Sequence, residues 1–399
     1  MKKNILIAVY DMEIGGIERS LINMLNSFDY EAFDVDLLVC SHQGEFLKLI
    51  PSSTNLLPEI KDYTAFRKTI KSCLLEGHYS AFAARMCAKA VANVKARARG
   101  YVEGASYIQM QLISKYMNRI LPDIPKQYDL CISYAWPHDV IVDRVKAAKK
   151  VAWIHTDYSV LEIDREHDLK IWSRFDYIAS ISDACSEAFL KSYPSLRNKL
   201  ILIENITSPA YIKQMSEEIN ELAAYDDQYF NIVSVGRLSY TKGFDLAIQA
   251  LRILQDKGLT KLKWHIVGYG GYENELRRLV AEHRLESCFI LHGKLANPYP
   301  VMKRCDLYVQ PSRYEGKAVT VTEAQILERP VLITNYPTAS SQVENGEDGI
   351  ICELSVEGLA NAIERLYKDE ALRISLSMNL SKKNYTNEYE LEKLYGIIN

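Results

Sequence analysis

Short apolar runs recur along the chain, each bounded by turn residues and most followed by a stretch with helical spacing. Ile5–Tyr10 opens this alternation. After Gly15-Gly16, residues Ile17, Leu21, Ile22 and Leu25 fall on one face of a helix, and Val35–Cys40 reads as the next strand. Leu130–Tyr134, Lys150–Ile154, Tyr177–Ser180 and Leu200–Ile203 continue the pattern. A segment from Glu204 to Asp227, with Asn205, Pro209 and an acidic helix-like run, interrupts it and reads as a linker. From Phe230–Val235 the alternation restarts, with further strands at Trp264–Val267, Phe289–Leu291, Leu307–Val309, Val331–Ile333 and Gly349–Cys352. Strands alternating with helices predict parallel sheets, because a parallel pair needs a crossover, most simply a helix. The pattern therefore predicts an α/β protein of two Rossmann-like domains facing a cleft: residues 1–205, residues 206–383, and a final aromatic helix over 384–399 that crosses back to the first domain.

The strongest chemical signal lies in the second half. Glu315 and Glu323 bracket the segment EGKAVTVTE, which follows a strand and the turn Pro311-Ser312 and leads into a helix. Glu315 is expected on the loop at the strand's carboxyl end and Glu323 about two turns into the helix, roughly 10–12 Å away at 1.5 Å per residue. The two carboxylates thus fit different groups of one extended ligand. Between them, the backbone N–H groups of Gly316, Lys317, Ala318 and Val319 open the helix, where unpaired donors and the dipole attract an anion such as a diphosphate. Two glutamates at this spacing also occur by chance on solvated helix faces. A second motif, VGRLSYTKG, supports the ligand reading. Gly236 and Arg237 follow the strand Phe230–Val235, and Lys242-Gly243 precede a helix over Phe244–Gln255. An arginine fork and a lysine at the carboxyl edge of a parallel strand suit a diphosphate and the charge that grows as it departs. The bland alternative is a surface pair of salt-bridged cations.

Taken in order, Gly15-Gly16, His155 in AWIHTDY, SVGRLSYTKG, HIVGYGGYENEL and the glutamate pair ending in Glu323-Ala324 resemble the retaining family-4 glycosyltransferases of GT-B fold. The resemblance spans most of the chain. It implies a retaining, metal-independent hexosyltransferase that moves a sugar from a nucleoside diphosphate donor, UDP favoured, to a saccharide or lipid-linked saccharide acceptor in cell-surface polysaccharide synthesis. It assigns Arg237 and Lys242 to the donor diphosphate, Glu315 to hydroxyls of the donor sugar, Glu323 to the ribose and His155 to a sugar. Gly15, Gly16 and Gly268 become places where backbone approaches the donor, although each is also a common turn residue. The chain departs from the family pattern at Lys317 and Ala318, where a bulky apolar residue and a glycine are usual. A nucleotide-sugar epimerase of the same architecture and a catalytically idle partner subunit remain alternative readings.

Composition bears on partners and location. With 399 residues, 48% hydrophobic and a net charge of −3, the chain suits a large enzyme and gives no global argument for nucleic acid. Met1-Lys2-Lys3 and the apolar run after it imitate a leader peptide, but Asp11 and Glu13 interrupt the run, which reads as the first strand. The eight cysteines show no metal-ligand spacing. Asp34-x-Asp36 resembles a metal-binding pair and reads instead as solvent-facing strand residues, so no metal and no cofactor are expected. Residues 61–120 hold eleven Lys or Arg against three Asp or Glu, a local charge of +8. Ala81–Ile120 is helical in composition, with Phe82, Met86, Val91, Val94, Tyr101, Ile108, Leu112, Tyr116 and Ile120 among the bases. A basic, partly apolar helical insert predicts contact with an anionic membrane surface, and hence a cytoplasmic protein at the inner face of the membrane. A solvated helical face packed on the sheet is the alternative.

Overall fold

The computed structural model describes residues 2–99, 106–156, 158, 161–220, 225–226 and 228–398. Tyr101 of the basic insert, Asp157 of the His155 motif and Asp227 at the end of the linker lie outside the described residues.

The chain forms two compact units, Met1–Ile206 with Asn387–Asn399, and Thr207–Thr386. The first holds a seven-stranded parallel sheet: β1 (Lys3–Val9), β2 (Phe33–Val39), β3 (Asn55–Leu56), β4 (Ile124–Ser133), β5 (Val145–Ile154), β6 (Tyr177–Ser180) and β7 (Leu200–Leu202), in the order β3-β2-β1-β4-β5-β6-β7. The second holds six parallel strands: β8 (Phe230–Val235), β9 (Leu262–Val267), β10 (Phe289–Gly293), β11 (Leu307–Gln310), β12 (Val331–Thr334) and β13 (Ile350–Cys352), in the order β10-β9-β8-β11-β12-β13. The central strands are buried along nearly their whole length, β8 at every residue, which explains why they read as continuous apolar runs rather than alternating ones. Each unit has its own core, one holding Leu6, Leu38, Cys131, Ala152 and Ile178, the other Ile232, Trp264, Leu307 and Leu332.

Both sheets reverse direction once. Between β1 and β4, and again between β8 and β11, successive crossovers leave toward opposite edges, so a crevice opens outside the carboxyl ends of those strands. These two switch points are where side chains from separate loops converge.

Some expectations need correction. Asp36 is not solvent-facing: only 3% exposed, its carboxylate accepts hydrogen bonds from Tyr128 Oη at 2.8 Å, Lys126 Nζ at 3.0 Å and Asn55 Nδ2 at 2.8 Å. Asp34, two residues earlier on the strand, is exposed. A buried carboxylate persists when donors replace water, and the partners, two on β4 and one on β3, could not be read from the spacing of two aspartates. The helical run predicted over 81–120 ends at Met117 rather than Ile120; helices span Tyr79–Arg99 and Ser106–Met117, and residues 100–105 lie outside the described residues. Their packing separates the apolar residues: Ile108 and Leu112 are buried, whereas Met86, Val91, Val94 and Ile120 are exposed. The final helix is shorter than expected, Glu390–Ile398. It packs on the first unit, with Tyr395 stacked on Phe33 at 4.4 Å between ring centres.

Candidate functional site

The second unit's switch point is built from the loops after β8, β9 and β11. Gly243 takes φ +68°, and a Cβ there would lie 1.9 Å from the Pro311 carbonyl oxygen. Gly268 takes φ +153°, and its Cβ would lie 1.9 Å from the Gly236 carbonyl oxygen. Only glycine meets both the backbone angle and the contact at these positions. The three loops are therefore packed backbone against backbone, and two motifs far apart in sequence become one surface.

Arg313 locks that arrangement. Its guanidinium makes a two-pronged ion pair with Asp245 at 2.7 and 2.5 Å, donates to the Tyr240 carbonyl at 2.7 Å and stacks over the Tyr240 ring at 3.9 Å. Its own amide donates to the Thr241 carbonyl at 2.8 Å. A planar fork suits this combined bidentate and stacked role, which lysine could not fill.

Within this frame Glu315 is 8% exposed and Oε1 collects three donors: Lys242 Nζ at 2.5 Å, Ser312 Oγ at 2.6 Å and Gln310 Nε2 at 3.1 Å. Oε2 takes no part in these bonds. Gln310 is itself held, its Oε1 accepting from Tyr308 Oη at 2.9 Å. Lys242 is thus a fixed charge rather than the mobile one its sequence suggests. An ammonium has three donors, so the bond to Glu315 leaves others for an anion in front of the loop. Arg237 is exposed and has no ion-pair partner among the described residues, so a surface salt bridge does not account for it, whereas Lys242 is ion-paired to Glu315.

The helix after Glu315 starts at Val319 and ends at Ile326. The Ala318 amide, expected to face an anion, instead donates to Gln342 Oε1 at 3.2 Å, while Gln342 Nε2 donates back to the Ala318 carbonyl at 2.6 Å. That amide pair anchors the helix start and removes one of the expected donors. The Val319 and Thr320 amides have no hydrogen-bond partner among the described residues. Glu323 is fully buried and accepts a bond from Tyr299 Oη at 2.8 Å.

The first unit's switch point has a different character. Tyr10 and Asp11 follow β1, Trp136 follows β4, and Arg67 joins them from the insert. Arg67 pairs with Asp11 at 2.8 Å and lies 4.5 Å above the Tyr10 ring, while Trp136 sits 6.1 Å from Tyr10 and 5.5 Å from Phe66. Tyr10 donates to the Thr64 carbonyl at 2.9 Å, and burial pushes its phenol up to about 12. His155, just beyond β5, packs 4.6 Å from the Tyr134 ring; its Nε2 is buried without a hydrogen-bond partner among the described residues, and burial lowers its pKa to about 3. It is a neutral imidazole over the ordinary pH range. Gly15 caps the helix Gly16–Ser27 in extended conformation, and Gly16 has open space where a Cβ would be.

Sequence reasoning singled out the two cations and two glutamates of the second unit but missed Gln310 and Ser312, which hold Glu315; Arg313 and Asp245, which lock its loop; and Gln342, which anchors the helix start. Arg313 sits between Ser312 and Glu315, so the loop that carried the signal also carried its lock. In the first unit it missed Asp11, Arg67 and Trp136, whose positions in the sequence lie too far apart to form a motif.

Residues 215–386 match the family model of the glycosyl transferases group 1. Over 178 residues the chain is 32% identical to the capsular polysaccharide biosynthesis glycosyltransferase CapM of Staphylococcus aureus, covering 42% of this chain and 46% of that protein. It is 27% identical over 164 residues to an N-acetylgalactosamine-N,N'-diacetylbacillosaminyl-diphospho-undecaprenol 4-alpha-N-acetylgalactosaminyltransferase of Campylobacter jejuni, covering 41% of this chain and 43% of that protein. The matched stretch thus spans less than half the length of these curated relatives. Anabaena HepE, solved in complex with UDP and glucose, superposes with a TM-score of 0.62 at 17% identity, over 99% of this chain and 97% of that one. The architecture is the GT-B fold of two Rossmann-like, parallel-sheet domains.

Proposed function

We propose that this protein is a retaining glycosyltransferase that moves a hexosyl group from a nucleoside diphosphate sugar, UDP favoured, to a saccharide acceptor, lipid-linked and destined for a cell-surface polysaccharide. The observation that carries the reading is the fixed Lys242–Glu315 pair beside unpaired Arg237 at the second unit's switch point. Arg237 and the spare donors of Lys242 would hold the diphosphate, with the Val319 and Thr320 amides at the helix start. Glu315 Oε2 would take hydroxyls of the donor sugar, and Glu323 would bind the ribose. His155, neutral and with Nε2 unpartnered, suits a sugar hydroxyl rather than a phosphate.

For retention, the bond from the anomeric carbon to the diphosphate oxygen breaks as the acceptor oxygen bonds on the same face. The acceptor proton passes to the departing diphosphate oxygen. No enzyme nucleophile, metal or cofactor is required in this scheme. Arg67, Asp11 and Trp136 at the first unit's switch point offer the aromatic surface and paired polar groups that suit a saccharide acceptor. UDP in HepE supports the choice of carrier, and the diphospho-undecaprenol in the name of the Campylobacter relative supports a lipid-linked acceptor. No helix among the described residues is long and apolar enough to cross a membrane. The basic helix Tyr79–Arg99, exposing Met86, Val91 and Val94, supports peripheral contact with the anionic inner face of the membrane from the cytoplasm.

The test is nucleoside diphosphate release from a panel of nucleotide sugars, with and without bacterial lipid extract. Release from one donor that depends on lipid supports the proposal and names the donor. An absence of release together with an absence of any donor-induced shift in Tm would overturn it.

A further inference from the structure

The first unit contains a second polar assembly, at the opposite edge of its sheet from His155. Arg119 lies ahead of β4, Arg144 directly precedes β5 and Arg174 shortly precedes β6, so the cavity they share lies at the amino ends of these strands. Its volume is about 260 Å³. Lys115 and Lys170 also line it, facing only two carboxylates, Asp139 and Asp143.

Helix carboxyl ends attract cations, and Lys115, Arg144 and Lys170 stand in last turns of their helices. That accounts for three of the five cations singly. It leaves Arg119 and Arg174 beyond the helix ends, and the grouping of all five around one cavity, unexplained. Arg174 pairs with Asp143 at 2.5 Å and Arg144 with Asp123 at 3.1 Å, while Lys170 pairs with Glu166 on an exposed helix turn. Lys115 and Arg119 have no ion-pair partner among the described residues. His167 also lines the cavity, its Nε2 buried without a hydrogen-bond partner among the described residues; burial and then Lys115 lower its pKa, as a positive surrounding requires. The volume falls below the ~300–1,000 Å³ usual for drug-sized ligands, which suits a phosphate or diphosphate group and not a whole nucleotide sugar.

We propose that this cavity binds a phosphate-bearing anion, separately from glycosyl transfer, with Lys115 and Arg119 supplying free charge and His167 a donor from Nε2. The same chemistry is offered by an anionic lipid headgroup and by a soluble phosphorylated compound.

Thermal unfolding of the full chain, titrated with inorganic phosphate at constant ionic strength, tests the site without a contribution from general screening. Wild type and Arg237→Ala should both rise in Tm. The double variant Lys115→Ala, Arg119→Ala should need at least about tenfold more phosphate for the same rise, the loss of ~1.4 kcal/mol or more of binding. Both side chains are exposed, so the double variant should unfold near the wild-type Tm in the absence of phosphate. A wild type indifferent to phosphate, or a double variant that titrates like wild type, overturns the proposal. Co-sedimentation with phosphatidic-acid vesicles against phosphatidylcholine vesicles then separates the sources. Acid-lipid binding lost in the double variant assigns the headgroup, whereas binding unchanged in a variant with weakened phosphate titration assigns a soluble ligand; each supports the site.

Discussion

The two switch points solve the same geometric problem with different materials. In the second unit the crevice is lined by charge: Lys242 fixed on Glu315, Arg237 unpaired among the described residues, and Arg313 clamped to Asp245. In the first it is lined by rings, Tyr10, Phe66 and Trp136, with the ion pair Arg67–Asp11 laid over them. A diphosphate is recognised by few, strong, directional contacts, and those demand residues fixed closely by short loops. A saccharide is recognised by many weak ones, spread over a surface that several distant segments can share. Charged side chains fixed on short loops leave a motif in the sequence, whereas rings gathered from distant segments leave none.

The largest expected effect is at the charged crevice. Lys242→Ala removes a cation proposed to hold the diphosphate and leaves Glu315 without its partner, so kcat for nucleoside diphosphate release should fall about 10²–10³-fold; an unchanged kcat would break the proposed assignment of this crevice to the donor. Next is Arg313→Ala, expected to cost about 2–3 kcal/mol of stability in denaturant unfolding, since Asp245 would lose its paired, half-buried partner. Gly243→Ala should cost ~1–3 kcal/mol, through strain at φ +68° and the clash with Pro311. At the ring-lined crevice, Arg67→Ala should raise KM for the saccharide acceptor about tenfold, a loss of ~1.4 kcal/mol. Hydrolysis of the donor without acceptor should stay unchanged. Equal losses in both assays would overturn the proposed division of labour between the crevices.

The smallest effect concerns pH. Burial lowers His155 to about 3 and His138 to about 4 from an ordinary 6.5. Between these values the unfolded chain binds protons that the native protein does not, so stability rises with pH across that window and is lost as pH falls through it. His155→Phe keeps the ring packing on Tyr134 and should flatten the dependence of the denaturation midpoint between pH 6.5 and 4.5.

The fold was legible because β8, β11 and β12 are buried on both faces and read as unbroken apolar runs, and β6 and β8 were bounded to the residue. The two-residue β3 escaped because so short an edge strand has no period to detect. The buried state of Asp36 was also out of reach, since it depends on register: Tyr128 comes from a strand two places along the sheet and is remote in sequence. At the candidate site, Glu315, Lys242 and Arg237 could be picked out because charged residues beside glycine at strand ends are unusual. The Ala318 amide could not be judged, because its competitor, Gln342, lies beyond the following strand.

The final helix returns the chain to the unit in which it began. Glu390 accepts the Glu204 amide at 2.9 Å, Tyr395 Oη accepts the Asp29 amide at 3.0 Å, and the Tyr395 ring covers Phe33. The second unit is therefore an insertion, entered at Thr207 and left at Thr386, while the first is discontinuous in sequence. A chain cut after residue 386 would keep the inserted unit whole and wound the other one, far along the sequence from the cut.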